Sequence, residues 1–514
     1  MEGVLMHGSA PRPRALEQAE PTVDAFRLPA LSVGDTAPEE AMTADLLFVR
    51  RILDAAGIAF LLVRRRGGRV ALAIDVAQTA ALHSALIEGC ATQPFSVTVR
   101  DRNGFGPARP LSDSWPVPPA SAGAFRVFRR RVDASGETPY GASTAVRIEL
   151  WRFGAEKVDL PAPNVLTRRR LRRSELVRAT TERYGETWPT IDGMFTPEMD
   201  DIGFDVDLVF SWVDGSSSGG KAARSERRGD RVVADQDLSP ARYRHIDELK
   251  YALRSVHMYA PWVRRIFIAT DSDRPAWLAD HPRVTLVRSE DFFTDLAALP
   301  THNSHAIESQ LHHIPGLAEH FVYSNDDMFF GRRVAPSMFF SSGHVSAFIE
   351  SDVRIGVGET DPLRSGHDNA ARVNRRLLRE RFGVIITRHL AHAPTPLRRS
   401  VLGEMEEEFV REFRATAGSP FRNRTDISVT NSLYHYYALL TGRAVVQRRA
   451  KVAYIDTTVR KDLAAMDRLL EKRDRHFFCL NDGGRAEVGP KQRRRRVTHF
   501  LERYFPVPAP WEAP

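Results

Sequence analysis

Apolar positions along this chain repeat at two periods. Between residues 42 and 55, Leu46, Leu47, Val49 and Leu53 recur at helical spacing, with Arg50 among them. Short β-like runs follow at 60–63, 70–74, 95–99, 125–128 and 146–151, broken by Gly, Pro and Asp. One helix followed by short strands predicts a small α+β domain over 41–160. Residues 1–40 are rich in Pro, Ala and acidic residues without periodicity, and read as a mobile leader. A basic, Pro-containing connector (161–204) passes through a helical stretch toward Asp205.

At Asp205 the pattern changes. Residues 206–213 form a continuous apolar run ending at Asp214, as expected of a buried strand entering a turn. A helix is predicted from about 245 to 259, with Leu249, Leu253 and Val256 on one face and Pro261 as its stop. Strands follow at 265–270, ending in Asp271, and at 284–287. The next helix begins at Asn303 or Ser304 and carries Ile307, Leu311 and Ile314 in register before Pro315-Gly316. A fourth strand, 320–324, ends in Asn325-Asp326-Asp327. Alternating strands and helices predict an α/β layered half over 205–340. Residues 341–500 read as mainly helical, with Val373 and Leu377, then Leu402, Met405, Phe409 and Phe413, then Leu433, Tyr437 and Leu440 in register; 501–514 are left as a tail.

Length and composition narrow the class. The 514 residues exceed what one core supports, since single cores stop growing near roughly 250–300 residues. A hydrophobic share of 42% with 27% charged residues is that of a globular chain. No stretch approaches the roughly 18 consecutive apolar residues of a membrane-spanning helix, and the first residues lack a secretory signal. The expected location is the cytoplasm, with peripheral contact at the inner membrane face left open. Cys90 and Cys479 alone exclude a disulfide framework and a thiolate zinc cluster. A net charge of +8, with arginine runs at 64–66, 168–173 and 493–496, is compatible with an anionic partner such as a nucleotide-sugar or lipid-linked acceptor, and equally with a solvated basic surface. No helix-turn-helix, zinc finger or aromatic RNA-binding signature accompanies them, so nucleic acid is not expected. No oligomeric state follows from the pattern.

Adjacent carboxylates at the end of a buried strand repel each other unless a cation neutralises them. Hard oxygen ligands favour Mg2+ or Mn2+, and such a cation would bridge a diphosphate. Asp214, Asp271 and Asp326-Asp327 all end predicted strands, so one sheet edge could gather them. Histidine suits removal of a proton from a hydroxyl near neutral pH. His389 and His392, three apart before Pro394, are the candidates; His302, His305, His312 and His313 read as packing residues. Arg422 and Arg424 precede a helix and could fork onto phosphate oxygens.

Several of these runs together resemble the Stealth family. They are residues 207–216 (DLVFSWVDGS), 247–255 (DELKYALRS), 259–263, 303–309 (NSHAIES), 313–317, 325–331 (NDDMFFG), 396–400, 433–437 and 478–482 (FCLND). They are similar to the family's four conserved regions in order, over roughly residues 205–482. The resemblance implies a Rossmann-like or GT-A-like α/β catalytic domain with a helical C-terminal part. It also implies a UDP-sugar donor, a divalent metal, a polysaccharide or lipid-linked glycan acceptor and a phosphodiester product. Carried over by position, Asp326 and Asp327 are expected to hold metal and diphosphate, with Asp482 closing the site. His392 is expected to be the catalytic histidine and Arg422 to bind phosphate. Asp207, Asp214, Asn303 and Asn325 are placed near the nucleotide. His389 could exchange with His392, and Arg424 with Arg422. Two rivals stay open: a metal-dependent glycosyltransferase releasing UDP, and a non-enzymatic binder of anionic polymers.

Overall fold

The structure, a computed structural model, describes residues 30–101, 104–112, 114–119, 123–214, 246–483 and 486–513. Most of the expected leader (1–29) and the expected start of the helix at 245 lie outside them.

The N-terminal elements form where periodicity placed them. A helix, Pro38–Ala55, buries Ala41, Asp45, Leu46, Val49 and Leu53 along one stripe. It packs on a sheet that includes Phe60–Arg65, Arg69–Asp75, Phe95–Asp101, Ala124–Arg129 and Val146–Phe153. The last ten residues assigned to the leader differ from expectation. Leu31 pairs with Arg131 in parallel, and Val33 enters a core at 2% exposure. A second difference lies in 161–204, read as helical. That segment instead forms the hairpin Arg178–Arg183/Glu186–Ile191, whose turn places Tyr184 and Gly185 at φ 54° and 76°. Two consecutive positive φ values make the primed turn that matches strand twist. The hairpin docks on the N-terminal sheet through buried Trp188 and a Thr190 hydroxyl donating to the Leu62 carbonyl at 2.6 Å.

The central sheet runs in the order Val284–Val287, Ile266–Ala269, Val206–Ser211, His320–Asn325, Thr395–Arg398. The first four are parallel and the last is an antiparallel edge. Their continuous apolar runs are those of a sheet covered on both faces. One face carries Leu249, Val256 and Ile268, the other Phe267, Phe321 and Leu402. In chain order the strands lie 3-2-1-4, a doubly wound α/β arrangement.

Beyond residue 340 the helices Gly366–Phe382, Arg399–Glu408, Val410–Ala417 and Tyr434–Leu440 agree with the pattern. Strands Val452–Asp456 and Phe477–Asn481 were not anticipated there; with Met328–Phe330 they form a three-stranded sheet. The expected tail is also part of the body. A helix, Pro490–Tyr504, packs on this sheet, and Trp511 is fully buried. No helix among the described residues is long and apolar enough to cross a membrane.

Candidate active site

In an open α/β sheet, ligands bind beyond the carboxyl ends of strands where the strand order reverses. That point lies here between Val206–Ser211 and His320–Asn325, whose last paired residues are Ser211 and Asn325. Asp326 and Asp327 form the turn that follows. The chain then runs out as Met328–Phe330, paired antiparallel with Phe477–Asn481 in the register Met328↔Cys479. This ladder sets the acidic turn against the end of the neighbouring strand. The Leu480 amide donates to the Asp327 carbonyl at 3.0 Å, and the Cys479 thiol donates to Asp327 Oδ2 at 3.3 Å. Burial, then the Asp327 charge, raises the Cys479 thiol well above its ordinary value. Asp482 continues the strand, its Oδ2 3.4 Å from Arg493 Nη1. Asp456 stands beside it, accepting from the Gly483 amide at 3.1 Å.

Tyr454 connects this acidic edge to the histidines. Asn481 Nδ2 donates to its hydroxyl, and Asp327 and Asp456 are among the charges that act on it. Its ring meets His392 edge to face, with centroids 5.1 Å apart. His392 lies 6.4 Å from His367, and His367 stacks on His389 at 4.9 Å. Burial, followed by the electrostatic influence of His389, Arg422, His305 and His392, lowers His367 well below the usual imidazole value. His367 is therefore neutral at physiological pH.

Arg422 closes the other side. Its Nη2 donates to Ser304 Oγ at 2.7 Å, and a Cβ on Gly366, beside His367, would lie 2.8 Å from Arg422 Cβ. Ser304 opens the helix Ser304–Gln310, capped by Asn303, whose side chain accepts from the His305 amide at 3.1 Å. Asn303 Nδ2 donates to Asp426 Oδ2 at 2.8 Å. Burial raises the Asp426 carboxyl to about 6. Arg424 is exposed, whereas Arg422 is half-buried.

The expected residues thus separate into groups. Asn325, Asp326 and Asp327 lie at one strand end, Asp482 follows the strand paired beside them, His392 is reached through Tyr454, and Arg422 lies against Gly366, beside His367. Asp214 stands at the same rim, its amide donating to Ser272 Oγ at 2.8 Å. Asn303 is fully buried and holds the Arg422 wall from behind. Asp207 is not brought to the rim: it lies at the start of its strand and is fully buried. Its carboxylate accepts from Arg264 at 2.9 and 2.6 Å and from the Arg265 and Ala318 amides at 3.1 and 2.8 Å. Asp271 is held likewise by Ser289.

The donor set at the rim is carboxylate oxygen, the chemistry that suits Mg2+ or Mn2+. Among the described residues, a tighter ligand set occurs only elsewhere. His312, His313 and Glu406 bring ligand atoms within 4.8 Å of one another. They lie near the opposite end of the sheet, where Arg398 pairs with His320. The Asp326, Asp327 and Asp482 carboxylates do not approach one another that closely.

Conserved region 2 of the Stealth proteins matches residues 242–348, conserved region 3 matches 391–439, and conserved region 4 matches 467–514. The chain is 54% identical over 477 residues to "Exopolysaccharide phosphotransferase CpsY" of Mycobacterium tuberculosis, covering 92% of this chain and 89% of that protein. The chain belongs to the Stealth family. Other relatives are the exopolysaccharide phosphotransferase of Nocardia farcinica, 52% identical over 93% of this chain and 89% of its own length, and one from Streptomyces coelicolor, 35% identical over 99% and 97%. A solved structure of the galactosyltransferase LgtC aligns with 57% of this chain and 95% of its own at TM-score 0.29 and 11% identity. Region 2 contains Asp326, Asp327 and Asn303, region 3 contains His392 and Arg422, and region 4 contains Asp482. The three matched regions therefore carry the residues described above, although His367 and Tyr454 fall between the matched segments. Sequence reasoning missed both, along with Asp456 and Arg493. The signal for His367 was its place one residue into a helix capped by Ser365; Tyr454 sits in a strand that was not anticipated.

Proposed function

We propose that this Stealth protein transfers a sugar-1-phosphate from a UDP-sugar to a hydroxyl of a glycan, releasing UMP and leaving a phosphodiester. The observation that supports it is the continuous path of contacts from the Asp327 rim through Tyr454 and His392 to His367 and Arg422. A carboxylate edge and an arginine flank one histidine, as a diphosphate donor and a hydroxyl nucleophile require. The curated relatives' names agree.

Asp326, Asp327 and Asp482 would hold a divalent cation. When bound, it supplies positive charge to the donor's diphosphate oxygens. His392 accepts the proton of the acceptor hydroxyl as that oxygen forms its bond to the sugar-bearing phosphorus. The bond from that phosphorus to the bridging oxygen breaks, and the electron pair leaves with UMP. Arg422 forks onto the transferred phosphoryl oxygens as their charge shifts. Asn303 and Ser304 hold Arg422 in place, and the neutral His367 adds no competing charge beside His392. Asp207 has no part in this scheme beyond tying the strand start to Arg264.

Incubation with a panel of UDP-sugars, Mg2+ or Mn2+ and glycan acceptors, with chromatography of the nucleotide formed, tests the proposal. UMP is expected; UDP would show glycosyl transfer, and metal-independent binding without cleavage would leave only a polymer-binding protein.

A further inference from the structure

A basic cavity lies between the N-terminal sheet and the catalytic body, with a volume of about 420 Å³. Seven arginines and one lysine line it, against the two carboxylates of Glu39 and Asp474. Arg69, Arg126 and Arg147 come from strands of the N-terminal sheet. Arg332 and Arg333 come from the catalytic body, one residue beyond the strand Met328–Phe330. The carboxylates do little to offset them. Glu39 is 3.8 Å from Arg333, while Asp474 lies 3.4 Å from Arg475, outside the cavity lining. Arg147 is held on Glu149 at 2.6 Å. Arg69, Arg126 and Arg332 have no carboxylate partner among the described residues. Arg126 instead lies over the Phe105 ring at 3.7 Å. Burial, then Arg147, Arg69 and Arg100, lowers Arg126 to about 10.

Converging like charges in a partly enclosed space cost free energy that a multivalent anion would recover. Arginine forks favour phosphate oxygens over a single carboxylate. Apolar lining residues, among them Met42 and Tyr140, give the cavity surface on which sugar C–H faces can rest. The cavity is also tied to the catalytic rim: Asp327 and Arg332 are five residues apart, so their Cα atoms are at most roughly 18 Å apart.

We propose that this cavity binds a phosphodiester of the glycan acceptor, so that the enzyme recognises a phosphate already present in the chain it extends. The proposal rests on the phosphotransferase reading above, and assigns the N-terminal domain to acceptor recognition. A free diphosphate shares the chemistry, and the experiment separates the two.

Calorimetric titrations of the full chain in EDTA would use three probes: inorganic pyrophosphate, a tetrasaccharide joined through hexose-1-phosphodiesters, and its neutral counterpart. The exposed pair Arg69→Ser/Arg332→Ser, which leaves every described ion pair intact, and the single variant Arg126→Gln are each expected to weaken both phosphate-bearing probes at least tenfold. Neutral tetrasaccharide binding should not change, and Asp327→Ala should bind all three like the wild type. Wild-type affinity in both arginine variants, or loss of phosphate binding in Asp327→Ala, overturns the proposal. In turnover assays the arginine variants should raise KM for the phosphodiester acceptor tenfold at unchanged kcat, with the KM for the UDP-sugar unchanged. Pyrophosphate binding lost without any change for the phosphodiester probe would mean a free anionic effector, and would also overturn it. If the wild type forms no UMP from any donor, the phosphotransferase reading fails, and the oligosaccharide titration alone decides whether the cavity takes phosphodiesters.

Discussion

Asp426 supports one wall of the cleft through Asn303 and the Asn423 amide, each at 2.8 Å. Its carboxyl is raised to about 6 in the folded chain, above the roughly 3.9 of a free aspartate. A group raised in this way adds its full stability below the unfolded value and loses it as the pH climbs through the folded one. Asp426→Asn should therefore remove a fall in thermal midpoint between about pH 4 and pH 6 that the wild type shows. Equal slopes in the two proteins would contradict the assignment. Asp327→Ala should lower donor cleavage by roughly 10²–10³-fold with an unchanged circular dichroism spectrum; full activity would remove the carboxylates from the mechanism. Asp326, Asp327, His392 and Arg422 could be named in advance because their runs resemble the Stealth family; the residues alone left His389 beside His392 and Arg424 beside Arg422. His367 and Tyr454 are different, because each gains its meaning only from what lies across the cleft. Asp207 was misplaced for a related reason. An aspartate beginning an apolar strand looks like one ending it, until the next strand supplies Arg264 and Arg265 at the same end.

At the scale of elements, the N-terminal helix Pro38–Ala55 buries an acid in its apolar stripe. Asp45 is fully buried, with Arg129 Nε and Arg131 Nη2 at 2.7 and 2.9 Å. Removing one partner of a buried pair leaves an uncompensated charge and typically costs about 3–5 kcal/mol. Asp45→Ala should lose that much in denaturant unfolding, whereas a loss under about 1 kcal/mol, the range of exposed pairs, would mean water screens the arginines. The continuous apolar strands and the strongly periodic helices were legible because burial alone dictates their composition. The 178–191 hairpin was not. Arg178, Thr181, Glu182 and Arg183 leave only a sparse apolar face, and Trp188 declares its burial through tertiary contact. Strands Val452–Asp456 and Phe477–Asn481 were hidden similarly, since a short strand carries too few residues to establish its period.

Across the whole molecule, the C-terminal residues return to the central sheet and lock its far edge. Trp511 is fully buried, the Ala279 amide donates to its carbonyl at 2.9 Å, and Arg254 grips Glu512 with two bonds of 2.7 Å. Trp511→Ala should cost about 3–5 kcal/mol, read from chemical denaturation; a change within 0.5 kcal/mol, typical of surface sites, would return these residues to the status of a tail. The sequence could not show this closure, because Trp511 lies in a short Pro-flanked stretch without periodicity. The central claim is that the bond broken runs from the sugar-bearing phosphorus to the oxygen bridging the diphosphate, rather than from the anomeric carbon to its oxygen. It is tested most directly with a UDP-sugar carrying ¹⁸O between the anomeric carbon and phosphorus, followed by mass spectrometry of both products. Phosphotransfer predicts ¹⁸O retained in the glycan phosphodiester and unlabelled UMP; ¹⁸O carried away in UDP would contradict the account.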